Sequence, residues 1–123
     1  MAKILYVEDN DDNIYMLSNR LRRRGYEVVV ARDGMQGVAM AKSEQPSLII
    51  MDLVLPDIDG WEATRRIRSE PLTREIPVIA LSASVTSEDK DRSIAAGCDD
   101  FDTKPVQLER LMQKMELLLR VDQ

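Results

Sequence analysis

The chain has 123 residues, 44% hydrophobic and 32% charged, with five Gly and five Pro; this is the balance of one globular domain with one core, and it excludes a disordered or fibrous chain. The formal net charge of −5 argues against a nucleic-acid partner, because displacing counterions from phosphates needs clustered Lys and Arg. There is no His, and Cys98 is the single Cys, which removes the commonest metal ligand, any phosphate store on imidazole and any internal disulfide.

From the N-terminus, no apolar run follows Met1-Ala2-Lys3, and no later stretch approaches the ~18 apolar residues of a membrane span; a cytoplasmic protein with no membrane partner is expected. Lys3 to Val7 is a short β-prone run. It ends in the acidic cluster Glu8-Asp9-Asn10-Asp11-Asp12, after which Ile14, Leu17 and Leu21 recur at helical spacing. Arg20, Arg22, Arg23 and Arg24 form the one dense basic group and read as the solvated end of that helix, stopped by Gly25. Glu27 to Ala31 is a second strand, and Met35, Val38 and Ala39 mark a second helix closed before Pro46. Leu48 to Met51 is an apolar strand that stops at Asp52. The loop from Leu53 to Gly60 leads to a third helix with Thr64 and Ile67 inward, and Asp57, Asp59 and Gly60 read as turn formers. Pro77 to Leu81 is the fourth strand. Thr86 or Ser87 caps a fourth helix ending near Gly97, Asp100 to Thr103 is a short fifth strand, and Leu108, Leu111, Met112, Met115, Leu118 and Leu119 stripe a fifth helix.

Strand and helix alternate five times. Short loops and near-continuous apolar strands predict right-handed crossovers and a doubly wound parallel α/β sheet, covered on both faces. Ligands of such sheets bind outside the carboxyl ends of the strands, so those ends are the place to look for chemistry. Here they carry Glu8 and Asp9, Asp52, Ser82, and Lys104 with Pro105.

Three carboxylates on one edge repel unless a cation joins them. Mg²⁺ suits Asp9 and Asp52, with Glu8 in a water-mediated or supporting contact. Ser82 can donate to a phosphoryl oxygen, and Lys104 supplies a movable point charge for Asp52 or for a phosphate. Taken singly, each has a plainer role: Glu8 and Asp9 as helix-start acids, Asp52 and Ser82 as turn residues, Lys104 as a surface charge. Their coincidence at successive strand ends favours phosphoryl transfer. Tyr6 and the Met112/Met115 stripe read as core.

The segments Val7 to Asn10, Met51 to Gly60, Ile76 to Ala83 and Thr103 to Pro105 resemble the receiver domain of two-component response regulators, in the family's order and across essentially the whole chain. The resemblance implies one receiver domain over residues 1–123 with a flavodoxin-like five-stranded sheet in order 2-1-3-4-5 and five helices. It implies Asp52 as phosphoacceptor and Mg²⁺ held by Asp9, Asp52 and the Val54 carbonyl. It also implies Ser82 as the phosphate-sensing hydroxyl, Lys104 as the phosphate-pairing cation before a cis Pro105, and Phe101 as the switch aromatic. Ser82 stands where Thr is commoner and Phe101 where Tyr is commoner. Val54 carries no polar group to orient water for dephosphorylation.

The fourth helix holds Glu88, Asp89, Lys90, Asp91 and Arg92 before Ile94, its first large apolar residue, so burial anchors little of it. A small change at Ser82 can therefore move the surface of helix four, strand five and helix five, which could also pair two copies into a weak dimer. The expected phosphodonor is a phosphohistidine on a histidine kinase or a histidine phosphotransfer protein. Because the chain ends soon after helix five, output is expected through contact with a downstream protein whose identity the residues do not specify. Two rivals remain: a Mg²⁺-dependent phosphatase with an aspartyl-phosphate intermediate, which needs a second carboxylate where Val54 stands, and a phosphorylation-independent binding domain, against which intact Glu8, Asp9, Asp52 and Lys104 argue.

Overall fold

The apolar runs form strands wherever they are short, β-branched and bounded by turn residues. In the computed structural model, which describes residues 2–84 and 86–121, these are β1 (Lys3–Val7), β2 (Glu27–Ala31), β3 (Leu48–Asp52), β4 (Val78–Ser82) and β5 (Asp100–Thr103). Between and after them lie α1 (Asp11–Arg23), α2 (Gly34–Glu44), α3 (Gly60–Ser69), α4 (Ser87–Ala96) and α5 (Leu108–Val121). All strand pairs are parallel, and the order is β2-β1-β3-β4-β5, as the resemblance implied. Every residue of β3 and β4 is buried, which explains why those segments show no polar alternation.

Two apolar layers cover the sheet. On one face Ile4, Tyr6, Ile50, Ile79 and Leu81 meet Leu17 and Leu21 of α1 and Leu111 and Met115 of α5. On the other, Leu5, Val7, Met51, Val78, Ala80 and Phe101 meet Ala41 of α2 and Ala63 and Ile67 of α3. Each fully buried Leu or Ile contributes roughly 1.5–3 kcal/mol, so the two layers dominate the stability. Cys98 is buried and free. No helix among the described residues is long and apolar enough to cross a membrane.

Several boundaries and faces differ from the sequence reading. Asp52 is the last residue of β3 rather than the first beyond it, and β4 starts at Val78 and takes in Ser82. On α2 the buried residues are Gly34, Gly37 and Ala41 and Val38 packs against the core as expected, whereas Met35 and Ala39 face solvent. The cause is close approach: a Cβ on Gly37 would lie 3.0 Å from Val7 Cγ2, so small residues bring α2 down onto β1. The α1 cap is Asn10, whose side chain accepts from the Asn13 N–H, with Asp11 and Asp12 in the first turn.

α4 departs most. Ile94 is 56% exposed, and the buried residues of the helix are Ser93 and Ala96. The anchor comes instead from Trp61 of α3, whose indole N–H donates to Ser93 Oγ at 2.8 Å. The Arg92 guanidinium lies 3.8 Å from the same ring's centroid, a stacked cation–π contact. Trp61→Phe keeps an aromatic ring, smaller than the indole, and removes the donor. It should destabilise α4 by about 1 kcal/mol, seen as several-fold faster amide exchange in residues 87–96 with α2 unchanged; equal exchange in both proteins would show that the indole bond does not hold α4.

Candidate functional site

The parallel register delivers the polar residues to one edge. Val7 pairs with Met51, Asp52 with Leu81, and Ser82 with Thr103, so Glu8, Asp52 and Lys104 emerge side by side at the carboxyl ends of β1, β3 and β5. Gly60 lets the chain return beneath them. Its N–H donates to the Leu53 carbonyl at 3.0 Å, and a Cβ there would overlap the Asp52 carbonyl oxygen.

Lys104 Nζ bridges two carboxylates, at 2.9 Å from Asp52 Oδ2 and 3.0 Å from Glu8 Oε1. Glu8 and Asp52 are 1% and 4% exposed, and Asp9 is exposed beside them. One ligand oxygen from each of Glu8, Asp9 and Asp52 falls within a 4.8 Å cluster. Two buried carboxylates and a third acid face one ammonium, and the donor set is oxygen throughout. That excess of negative charge and hardness of ligand fit a divalent cation of the Mg²⁺ type.

Glu8 is the most heavily bonded group. Its Oε1 accepts from Tyr6 Oη at 3.1 Å, Asn13 Nδ2 at 3.3 Å and Lys104, while Oε2 accepts from the Asp9 and Asn10 N–H groups. With its lone pairs turned inward, Glu8 supports the cluster more than it opens toward a ligand. Tyr6 is core, as its sequence position suggested, and it is also a Glu8 donor; that bond and the one from Asn13 were not found from the sequence. The i, i+2 spacing that turns Tyr6 of β1 and Glu8 just beyond it to the same side was the available signal.

Burial pushes the Asp52 carboxyl up to about 6, helped by the neighbouring Glu8 carboxyl and opposed by Lys104. For Glu8 burial pushes the same way, but the bonds from Asp52 and Lys104 outweigh it and hold its carboxyl below the ordinary value. Burial disfavours the charge on Lys104, yet the bonds to Asp52 and Glu8 win and keep it protonated above its usual range. At neutral pH the site is thus two anions clamped on one cation, with the Asp52 charge the less comfortable of the two.

The other expected residues lie around this centre. The Ser82 hydroxyl accepts from the Ser84 N–H at 3.0 Å, while its carbonyl accepts from the Lys104 N–H at 2.8 Å, so Ser82 joins the site through backbone. Val54 is 77% exposed, and its N–H donates to Asp52 Oδ1 at 3.3 Å. The Lys104–Pro105 peptide is cis. Phe101 is buried against the face that holds α3.

The chain resembles known proteins along nearly its full length. It is 38% identical over 120 residues to the DNA-binding dual master transcriptional regulator RpaA of Synechocystis sp., aligning 98% of itself with half of that protein. It is 36% identical over 119 residues to protein PilH of Pseudomonas aeruginosa, covering 97% of this chain and 98% of PilH. The receiver domain of the sensor histidine kinase PA1611 from Pseudomonas aeruginosa, solved with a magnesium ion coordinated in its active-site cleft, superposes with a TM-score of 0.89 at 36% identity, covering 96% and 97% of the two chains. Residues 4–116 match the family model of the response regulator receiver domain; with the sheet order and the acidic edge in place, the chain belongs to the receiver-domain family of two-component response regulators.

Proposed function

We propose that residues 1–123 act as a phosphorylation switch in which Asp52 takes a phosphoryl group from a phosphohistidine on a histidine kinase or histidine phosphotransfer protein in the cytoplasm. The observation that carries this reading is Lys104 Nζ held between Asp52 and Glu8 at 2.9 and 3.0 Å. An Asp52 carboxylate oxygen attacks phosphorus and the P–N bond of the donor breaks; the bond pair stays on the ring, which, protonated on its other nitrogen, leaves as neutral imidazole. Lys104 then passes from the carboxylate to a phosphoryl oxygen, and Ser82 exchanges its bond with Ser84 for one to phosphate. Asp9, Asp52 and the Val54 carbonyl would hold Mg²⁺, with Glu8 behind them; the ion supplies charge neutralisation between the carboxylate and the incoming phosphate. Output passes by protein contact through α4, β5 and α5, a surface that also suits weak dimerisation.

A hydrolytic phosphatase is disfavoured by Val54, which offers no acid or base beside Asp52, so autodephosphorylation should be slow relative to transfer. Intact-mass measurement after acetyl phosphate and Mg²⁺ tests the assignment. Wild type should gain one base-labile phosphoryl group and Asp52→Asn none; equal labelling would move the acceptor elsewhere. Ser82→Ala separates acceptance from readout. It should still be labelled on Asp52, yet show a much smaller change in amide exchange over residues 86–103 on adding beryllofluoride. A response as large as that of wild type would leave Ser82 a turn residue.

A further inference from the structure

Asp57 does more than form a turn. Its Oδ1 accepts from the Gly34 N–H and its Oδ2 from the Met35 N–H, both at 2.8 Å, so a carboxylate from the β3–α3 loop closes the first turn of α2. Helix N-termini leave such N–H groups without partners, and an acid there gains from the helix dipole as well as from the bonds. The helix has its own cap besides: Asp33 Oδ1 accepts from the Gln36 N–H at 2.7 Å. Asp57 is thus the part of the cap that comes from elsewhere in the chain.

The loop that carries Asp57 is closed at both ends as well. At its start, the Val54 N–H reaches Asp52 Oδ1 and Gly60 N–H returns to Leu53. At its end, Asp59 caps α3 by accepting from the Glu62 N–H at 2.8 Å. Between these points Leu55 and Ile58 rest against the core, Asp57 supplies the polar tie to α2, and the Ile58 carbonyl packs so near Gly34 that a Cβ there would lie 2.8 Å away. We infer that Asp57 is a positioning residue: by bonding the α2 N-terminus it holds the 53–59 loop, and with it Val54, in the place from which the loop backbone meets a cation at Asp52. The inference rests on the metal-assisted reading of the site given above.

Asp33 supplies the control. Asp33→Ala and Asp57→Ala each remove one acid and one cap from the same helix, but only the second unties the loop from α2. Both full-length variants should lose a few degrees of melting temperature through the lost cap. Calorimetric titration with MgCl₂ should show affinity about tenfold weaker in Asp57→Ala, with Asp33→Ala at the wild-type value. Asp57→Asn, which retains an acceptor oxygen, should recover part of the loss and serves if the alanine variant does not fold. Wild-type affinity in Asp57→Ala, or equal weakening in both alanine variants, would overturn the inference, the second by reducing Asp57 to a helix cap and surface charge. If Mg²⁺ fails to bind wild type, or Asp52→Asn is labelled as wild type is, the underlying reading of the site falls and this inference with it.

Discussion

Near neutral pH and without divalent metal, Asp52→Asn should melt about 5 °C above wild type, equivalent to roughly 1–2 kcal/mol for a domain of this size. The folded Asp52 carboxyl titrates at about 6 against 3.8 for the unfolded chain. Between those values the folded protein binds more protons than the unfolded one, so raising the pH through this window lowers stability, and above it the full penalty remains. The asparagine variant lacks that group. The two melting curves should therefore converge below about pH 4 and separate as the pH rises through 6. Mg²⁺ should raise the wild-type melting temperature more than that of the variant, because it binds the ionised folded site and gains nothing comparable from an amide. Thermal denaturation across pH with EDTA or MgCl₂ checks both statements. A constant gap between the curves at all pH values would mean that Asp52 is not the strained acid, and an equal Mg²⁺ shift in both would place the ion elsewhere.

The centre of the site was legible because parallel strands bring their carboxyl ends to one edge, and sequence alone identifies which residue ends each strand. Glu8, Asp9, Asp52 and Lys104 are such residues, and the structure gathers all four. Ser82 was placed at the right strand end, but its hydroxyl direction depends on the local turn to Ser84, which no spacing encodes. Two of the missed contacts join segments far apart in the chain, Asp57 on the α2 N-terminus and Trp61 on Ser93; the third, Asn13 on Glu8, is local and depends on how the first turn of α1 aims its side chain. The buried face of α2 was only partly read, Val38 packing on the core but Met35 and Ala39 not, for a different reason. A hydrophobic stripe is scored on large apolar residues, whereas α2 buries Gly34, Gly37 and Ala41 because the helix approaches β1 closely. On α4 the run from Glu88 to Arg92 agrees with a helix whose buried residues are Ser93 and Ala96, but a polar helix has no stripe to fix its rotation, so Ile94 faces solvent and Ser93 takes the inner position.

Removing the cation rather than an acid should have the opposite and larger effect. Lys104 is the charge that lets Glu8 and Asp52 stay ionised while nearly inaccessible to water, and it is itself only partly exposed, at 22%. Stripping one partner from a buried ionic group generally costs about 3–5 kcal/mol, since the remaining charges are left desolvated and unpaired. Partial exposure of the ammonium and an acid that can take up a proton both reduce this, so Lys104→Met should lose about 2–3 kcal/mol in metal-free neutral buffer. Three features distinguish this from simple loss of packing. Acidification should shrink the deficit, because protonating Asp52 relieves the repulsion that Lys104 had relieved. Mg²⁺ should also shrink it, by supplying the missing positive charge at the same oxygens. Adding Asp52→Asn to Lys104→Met should restore much of the stability, so the double variant should be far more stable than the sum of single effects allows. That non-additivity is the decisive measurement: if the two substitutions combine independently, Lys104 and Asp52 do not depend on each other, and the clamp on which the phosphoryl-transfer reading rests would have to be abandoned.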